Sequence, residues 1–263
     1  MLELALFGHQ IAGSRSPALH AAFGAQFGIA LRYELIDVPD LGPALERWLA
    51  LGGRGANVTR PFKREAWQRC ATRGPEAERA GAVNALVVEA DGRLRGECTD
   101  GVGLVRDLAT NHDLELAGRR VALLGASGAA RGVAEALLGA GIASLQVADR
   151  DPARSAAFAA DFPAAAVGGY PRLAGGGFDL MVNATSASAR GELPPLPEGA
   201  LARRGVAYDL HYADAPTPFL HWARAAGARL ALDGWGMLVE QAALSFALWT
   251  DQYPDTAPLL RRP

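Results

Sequence analysis

The run Val121-Ala122-Leu123-Leu124 followed by Gly125-Ala126-Ser127-Gly128-Ala129-Ala130-Arg131-Gly132 constrains this chain more than any other stretch. Apolar residues ending in a glycine-rich turn that opens a helical pattern make a strand-turn-helix unit. In that unit, backbone N–H groups at the helix start can hold a pyrophosphate. The strict G-x-G-x-x-G spacing is not kept, because Ser127 stands where the second glycine belongs, and a tight turn packed with small residues would use the same string. Asp149 follows 24 positions after Gly125, at the end of the next strand-like run, where an acidic residue can accept ribose hydroxyls. Together Gly125, Ala126, Ser127, Gly128, Ala129 and Asp149 make a candidate dinucleotide cradle.

The sequence does not choose between the two nicotinamide dinucleotides. Asp149 favours a free 2′-hydroxyl and so NAD, whereas Arg150 and Arg154 offer guanidinium groups to a 2′-phosphate, as NADP requires. Asp151 balances the second arginine, and the formal charge of residues 149–154 sums to zero.

Around this unit short β-rich runs alternate with longer helical ones, the pattern of βαβ units and a mostly parallel sheet. Strands are expected at 2–7, 32–38, 56–58 and 85–88, then at 120–125, 144–148, 179–182 and 206–209. Helices are expected at 16–27, with Ser16 as cap and Pro17 at the first helical position, and at 41–50, 128–138, 152–160 and 218–226. The pattern restarts after a polar stretch at 111–120, so the chain reads as two α/β units joined near residue 105. The last helix, 235–249, could belong to either.

Composition removes several function classes. Gly and Pro make 47 of 263 residues, about 18%, below the roughly 25–30% typical of low-complexity chains. With 26 Lys+Arg against 28 Asp+Glu the net charge is −2, which argues against nucleic acid or a membrane surface as the main partner. Cys70 and Cys98 have no metal-like spacing, so neither a disulfide scaffold nor a metal site is expected, and a reducing cytoplasm is. The start MLELALFGHQ has no basic leader region and reads as a strand. The most apolar run, 236–249, is broken by Glu240 and Gln241, which leaves no membrane span.

Further polar segments fall at strand ends, where ligands gather in open α/β sheets. They are Ser14-Arg15-Ser16-Pro17, Asn57-Val58-Thr59-Arg60-Pro61-Phe62-Lys63, Gly81-Ala82-Val83-Asn84 and Cys98-Thr99-Asp100-Gly101-Val102-Gly103. Singly each has an ordinary role: Ser16 as a helix cap, Asn84 in a turn, Asp100 as a cap of the helix that follows, Lys63 as a solvated charge. Jointly they form a pattern. Gly8-His9-x-Ile11-x-x-Ser14-x-Ser16-Pro17-x-x-His20, Gly55-Ala56-Asn57-Val58-Thr59-x-Pro61-Phe62-Lys63, Ala80-Gly81-Ala82-Val83-Asn84, Thr99-Asp100-Gly101-x-Gly103, Asn183-Ala184-Thr185-Ser186 and Asp233-Gly234-x-Gly236-Met237-Leu238-Val239-x-Gln241-Ala242 closely resemble the shikimate dehydrogenases in order and spacing. The resemblance runs over nearly the whole chain.

That resemblance implies an α/β protein with an N-terminal open α/β substrate domain, residues 1–104, completed by a C-terminal helix, 235–263. Between them it implies a Rossmann-like NADP-binding domain, 105–234, with the active site in the cleft between the two. The implied reaction passes hydride between the C3 carbon of shikimate and NADP, a step of aromatic amino acid synthesis. Position by position, Ser14, Ser16, Thr59, Asn84, Tyr212 and Gln241 match substrate contacts, and Lys63 and Asp100 match the catalytic pair. The turn from Gly125 to Ala129, residues 149–154, Leu210, Gly234 and Met237 match cofactor contacts. Monomer and homodimer both remain open.

An alcohol dehydrogenation needs a proton acceptor within hydrogen-bond reach of the hydroxyl, and Lys63 is the candidate. Pro61 suggests a helix start that would disfavour an ammonium at Lys63, while an ionised Asp100 would favour one. Four positions depart from the family pattern: Arg60, Cys98, Asp149 and Asp151. The acidic pair keeps an NAD-preferring quinate/shikimate dehydrogenase as the alternative. A dinucleotide-binding module without catalysis would be marked by loss of Lys63 or Asp100, and both are present.

Overall fold

Leu4, Ala5, Leu6 and Phe7 are all buried, although a half-exposed strand would alternate. The cause is position: β1 (Leu2–Gly8) lies inside a sheet and runs parallel to both of its neighbours, β2 (Leu31–Asp37) and β3 (Gly55–Val58). Strands of this kind are apolar on both faces. The computed structural model describes residues 1–262. It divides the chain into a first unit, Met1–Leu104 with Leu238–Pro263, and a second unit, Val105–Met237.

The first unit is completed by β4 (Thr72–Arg73), β5 (Ala85–Val88) and β6 (Leu94–Glu97), giving a mixed sheet of order β2-β1-β3-β5-β6-β4. Its β5 runs antiparallel to β3 and β6. Helices α1 (Ser16–Phe27), α2 (Leu41–Ala50), α3 (Lys63–Arg69) and α4 (Pro75–Ala80) connect these strands, and α5 (Asp100–Arg106) leads out. Leu41, Leu45 and Trp48 of α2 pack on Phe7, Val58 and Phe62. Ser16 does not cap α1: it is the first helical residue, Arg15 holds the cap position, and no side-chain cap bond forms. The Ser14 hydroxyl instead accepts the Ser16 N–H, at 3.3 Å.

The second unit is an all-parallel sheet of order β12-β11-β10-β7-β8-β9, from β7 (Arg120–Leu124), β8 (Ser144–Ala148), β9 (Ala165–Gly168), β10 (Phe178–Asn183), β11 (Leu201–Asp209) and β12 (Leu230–Leu232). Its helices are α6 (Gly128–Gly139), α7 (Pro152–Asp161) and α8 (Pro218–Ala225). Leu124, Met181, Ala207 and Phe219 form its buried core. The last helix, α9 (Trp235–Thr250), begins in the second unit and carries the chain into the first. There the Trp249 Nε1–H donates to the Leu86 carbonyl at 2.9 Å.

Strand order reverses direction between β1 and β3 in the first sheet and between β7 and β10 in the second. Loops leaving such neighbouring strands diverge to opposite faces and leave a crevice at their C-terminal ends. Both crevices are lined by the motifs singled out from sequence.

Candidate active site

In the first unit the loops after β1 and β3 are tied side by side: the Thr59 N–H donates to the Phe7 carbonyl at 2.9 Å and the His9 N–H to the Arg60 carbonyl at 3.2 Å. Asp37, at the end of β2, accepts the Gln10 and Ile11 N–H groups, each at 3.0 Å. This fixes the segment that delivers Ser14 and Ser16, whose hydroxyls lie 3.2 Å apart at the start of α1. Thr59 sits on the other loop, followed by Phe62, buried in the core.

That buried phenylalanine sets the next residue. Phe62 occupies the cap position of α3, so the helix starts at Lys63, and the Lys63 carbonyl accepts the Val83 N–H at 2.9 Å. Lys63 Nζ donates to Asp100 Oδ2 at 2.5 Å, with side chains only 14% and 10% exposed. The other oxygen, Asp100 Oδ1, accepts from Asn84 Nδ2 at 3.0 Å. The same amide nitrogen lies 2.9 Å from Thr99 Oγ1 and 3.3 Å from Gln241 Oε1. Lys63, Asn84, Asp100 and Gln241 therefore form one hydrogen-bonded cluster drawn from α3, the β4–β5 region, α5 and α9. Beside it, burial pushes the Cys98 thiol up to about 12, with Asp100 adding to the rise and Lys63 opposing it. A neutral thiol leaves the lysine–carboxylate pair undisturbed.

In the second unit the glycine turn is built for close approach. Gly125 has φ +98°, a left-handed conformation, and a Cβ there would lie 3.3–3.4 Å from Thr185 and the Ala184 backbone; side chains rarely adopt that φ. A Cβ at Gly128 would meet nothing within 4 Å. Ser127 holds the cap position of α6 without a side-chain cap bond, and the first turn has no acidic residue. The leading N–H groups and the positive helix end are thus free for an anion. This is the arrangement a dinucleotide pyrophosphate requires.

Asp149 does more than offer an acceptor to a ribose. Its Oδ2 takes the Ala126 N–H at 2.8 Å, and its Oδ1 takes the Asp151 N–H and Arg154 Nη2, each at 2.8 Å. Burial would raise its pKa, but the bonds from Arg154, Asp151 and Ala126 outweigh burial and hold it below the usual carboxylate value. Asp151 caps α7, accepting the Ala153 N–H at 2.9 Å and the Arg154 N–H at 3.3 Å. Both acidic departures thus serve the turn and the helix start, while Arg150 stands exposed and Arg154 half-exposed.

The remaining cofactor candidates gather at the end of β11. A Cβ on Gly234 would lie 2.2 Å from the Leu210 carbonyl oxygen, so only glycine lets these two segments touch. The Met237 N–H donates to the Tyr208 hydroxyl at 3.0 Å, and that hydroxyl donates to Asp107 at 2.6 Å. Tyr212, on the loop after β11, meets Trp235 edge to face at 6.0 Å. Tyr212 belongs to the second unit, Ser14, Ser16, Thr59, Asn84 and Gln241 to the first.

Comparison with known proteins agrees with this geometry. A family described as the shikimate dehydrogenase substrate binding domain matches residues 6–86, and one described as the shikimate 5'-dehydrogenase C-terminal domain matches residues 234–262. Over 261 residues the chain is 49% identical to shikimate dehydrogenase (NADP(+)) of Alkalilimnicola ehrlichii, covering 97% of this chain and 96% of that one. The chain belongs to the shikimate dehydrogenase family. Among solved structures, an Ael1 enzyme from Pseudomonas putida superposes with a TM-score of 0.91 at 40% identity, covering 99% of this chain and 97% of that chain. Shikimate 5-dehydrogenase from Thermus thermophilus, in complex with NADP(H) and shikimate, superposes with a TM-score of 0.88 at 36% identity, with the same coverage of 99% and 97%.

Several polar residues of this family member carry no motif signal. Asp209, fully buried, accepts from Asn183, Ser188, Thr217 and the His211 N–H. Ser245, with Thr99 from the Thr-Asp-Gly motif, joins Asn84 to α9. Asn57 falls inside a family motif, but its spacing there points to no role. The partners are 100 or more residues away in several cases, so no local spacing could mark them.

Proposed function

We propose that this protein catalyses the reversible, NADP-dependent interconversion of shikimate and 3-dehydroshikimate, with Lys63 as the proton-transfer group. The observation that carries this reading is the Lys63–Asp100–Asn84–Gln241 cluster in a chain so similar to NADP-dependent shikimate dehydrogenases. A cytoplasmic site of action belongs to the same proposal.

The residues present suit NADP. The turn from Gly125 to Ala129 would hold the pyrophosphate, Arg150 and Arg154 the 2′-phosphate, and Leu210, Gly234 and Met237 the nicotinamide end. When bound, NADP supplies the hydride acceptor for oxidation and, reduced, the donor for the reverse. Lys63 Nζ, as the neutral amine, takes the proton of the C3 hydroxyl during oxidation and, as the ammonium, returns it to the carbonyl oxygen during reduction. Asp100 orients Lys63 through its short bond and offers the hydroxyl a second partner. Thr59, Asn84 and Gln241 read the remaining hydroxyls, since buried polar groups disfavour an analogue that leaves them unpaired. Tyr212 is proposed as a further substrate contact.

The substrate carboxylate is assigned to Ser14 and Ser16 at the start of α1, where hydroxyls and leading N–H groups suit an anion. Replacing both serines by alanine is expected to raise KM for shikimate at least tenfold, since a hydrogen bond to a charged group contributes about 1.5–3 kcal/mol, with KM for NADP unchanged. Equal rises in both constants would place the carboxylate elsewhere.

The acidic pair at 149 and 151 does not by itself turn the site toward NAD, because both carboxylates already serve the glycine turn and α7. Asp149→Asn removes one negative charge beside Arg150 and Arg154. The ratio of kcat/KM for NADP to that for NAD is expected to rise about fivefold, on the order of 1 kcal/mol for one partly solvated charge. A ratio that stays level or falls would assign Asp149 directly to the ribose. The reading as a whole is tested by steady-state rates with shikimate and quinate, each with NADP and NAD. Shikimate with NADP is expected to dominate, and a preference for quinate with NAD would replace it.

A further inference from the structure

Behind the serines of the first unit lies a residue that no motif marks. Tyr33, on β2, donates its hydroxyl to Asn57 Oδ1 at 2.8 Å. The Asn57 amide is thereby oriented, and its Nδ2 donates in two directions, to the Asn84 carbonyl at 3.0 Å and to Ser245 Oγ at 2.9 Å. The Ser245 hydroxyl passes to the Gln241 carbonyl at 3.0 Å and lies 3.4 Å from Thr99 Oγ1. Asn84 then donates its side chain to Asp100, which holds Lys63. At the other end the Ser16 hydroxyl interacts with the Tyr33 phenol and partly offsets the upward push of burial on its pKa, and Ser14 donates to Ser16 at 3.2 Å.

We propose that Tyr33 and Asn57 are positioning residues of the reaction, forming a relay, partly buried at Tyr33 and buried from Asn57 inward, that fixes the Ser14–Ser16 carboxylate site and the Asn84–Asp100–Lys63 centre in one geometry. The inference rests on the shikimate reading above. Asn57, Asn84, Thr99, Asp100 and Ser245 are all buried, so water competes little for the bonds among them, and a lost link there leaves an unsatisfied partner instead of a solvated one. An amide carries an acceptor at one end and donors at the other. The phenol at Oδ1 therefore decides which way Asn57 faces Asn84.

The ring that carries the phenol is held as well. His20, fully buried, stacks on Tyr33 at 4.4 Å and 10°. Burial lowers its imidazole to about 3, with Asn57 opposing in part, so His20 is neutral at the pH of any assay near neutrality. Neither of its ring nitrogens makes a well-formed hydrogen bond, Asn57 being near enough only to weaken the shift. Its service here is a flat wall that keeps Tyr33 aimed at Asn57.

The test is a kinetic cycle on Tyr33→Phe, Ser245→Ala and the double variant, with wild-type oxidation of shikimate by NADP as the reference. Absence of wild-type activity would strike the functional reading itself and is thereby told apart from failure of the relay. With an active wild type, Tyr33→Phe is expected to raise KM for shikimate about tenfold and to lower kcat severalfold, with KM for NADP within twofold. Ser245→Ala, which removes one hydroxyl and nothing else, is expected to change KM for shikimate about threefold even if the phenylalanine variant fails to fold. Because the two side chains are joined through Asn57, their effects on kcat/KM should be non-additive by at least threefold. Strict additivity, or shikimate constants within twofold of wild type in the folded variants, would overturn the relay and leave Tyr33 as packing.

Discussion

Lys63→Ala is expected to lower kcat for shikimate oxidation by about a thousandfold while KM for shikimate and NADP changes little. General acid–base groups contribute typically about 10²–10⁴-fold. The upper half of that range applies here, because the Lys63–Asp100 pair is nearly buried and solvent has poor access as a substitute. Lys63→Arg should not restore turnover, since a guanidinium keeps the charge beside Asp100 but cannot take up a proton near neutral pH. The pair of variants therefore separates proton transfer from electrostatic binding. Recovery of activity with arginine would reduce Lys63 to a binding charge, and near wild-type turnover in the alanine variant would remove it from the chemistry. Single-turnover rates with saturating shikimate and NADP make the measurement independent of product release.

How far this architecture can be read from the chain depends on the range of the interactions involved. The bounds of α2, 41–50, follow from its apolar face, the start of α1, 16–27, from Pro17, and β8, 144–148, from a short β-rich run. The weak strands do not. In β6 the sequence is Leu-Arg-Gly-Glu, and its strand state is held by pairing with β5 and by Arg95 reaching Glu89 and Glu97. Ala165–Gly168 and Leu230–Leu232, as β9 and β12, are short and made from residues with little strand preference of their own; parallel neighbours impose their state. The candidate site shows the same division. Lys63, Asp100 and Asn84 sit in short strings with recognisable spacing. Tyr33, Asn57 and Ser245 are joined across 24 and 188 positions, and only the fold brings them together. Asp149 illustrates a third case: its position was legible, but a carboxylate at a strand end can serve a ribose or the protein's own turn, and only the bond from Ala126 shows the second role.

Asp209→Ala is expected to lower the stability of the protein by about 4 kcal/mol, which for a chain of this size corresponds to a fall in Tm of about 10 °C. The carboxyl group is fully buried at the end of β11 and accepts four bonds. Oδ1 takes the His211 N–H at 3.1 Å and Asn183 Nδ2 at 3.2 Å; Oδ2 takes the Ser188 hydroxyl at 2.5 Å and the Thr217 hydroxyl at 2.7 Å. Alanine would leave these donors facing a void, and each unsatisfied buried donor costs about 1–3 kcal/mol, reduced where a hydroxyl can rotate to another acceptor. The loss would also spread, because the four donors come from three separate segments: the turn after β10, the loop after β11, and Thr217, whose hydroxyl caps α8 by accepting the Leu220 N–H at 3.3 Å. Asp209→Asn keeps one acceptor oxygen and nearly the same shape, so it should recover about half of the stability. Thermal unfolding of the three proteins at fixed NADP concentration gives the comparison directly. A Tm for the alanine variant within about 3 °C of wild type, the shift expected from roughly 1 kcal/mol, would mean that water replaces the carboxyl group there and that the three segments are held by the sheet alone.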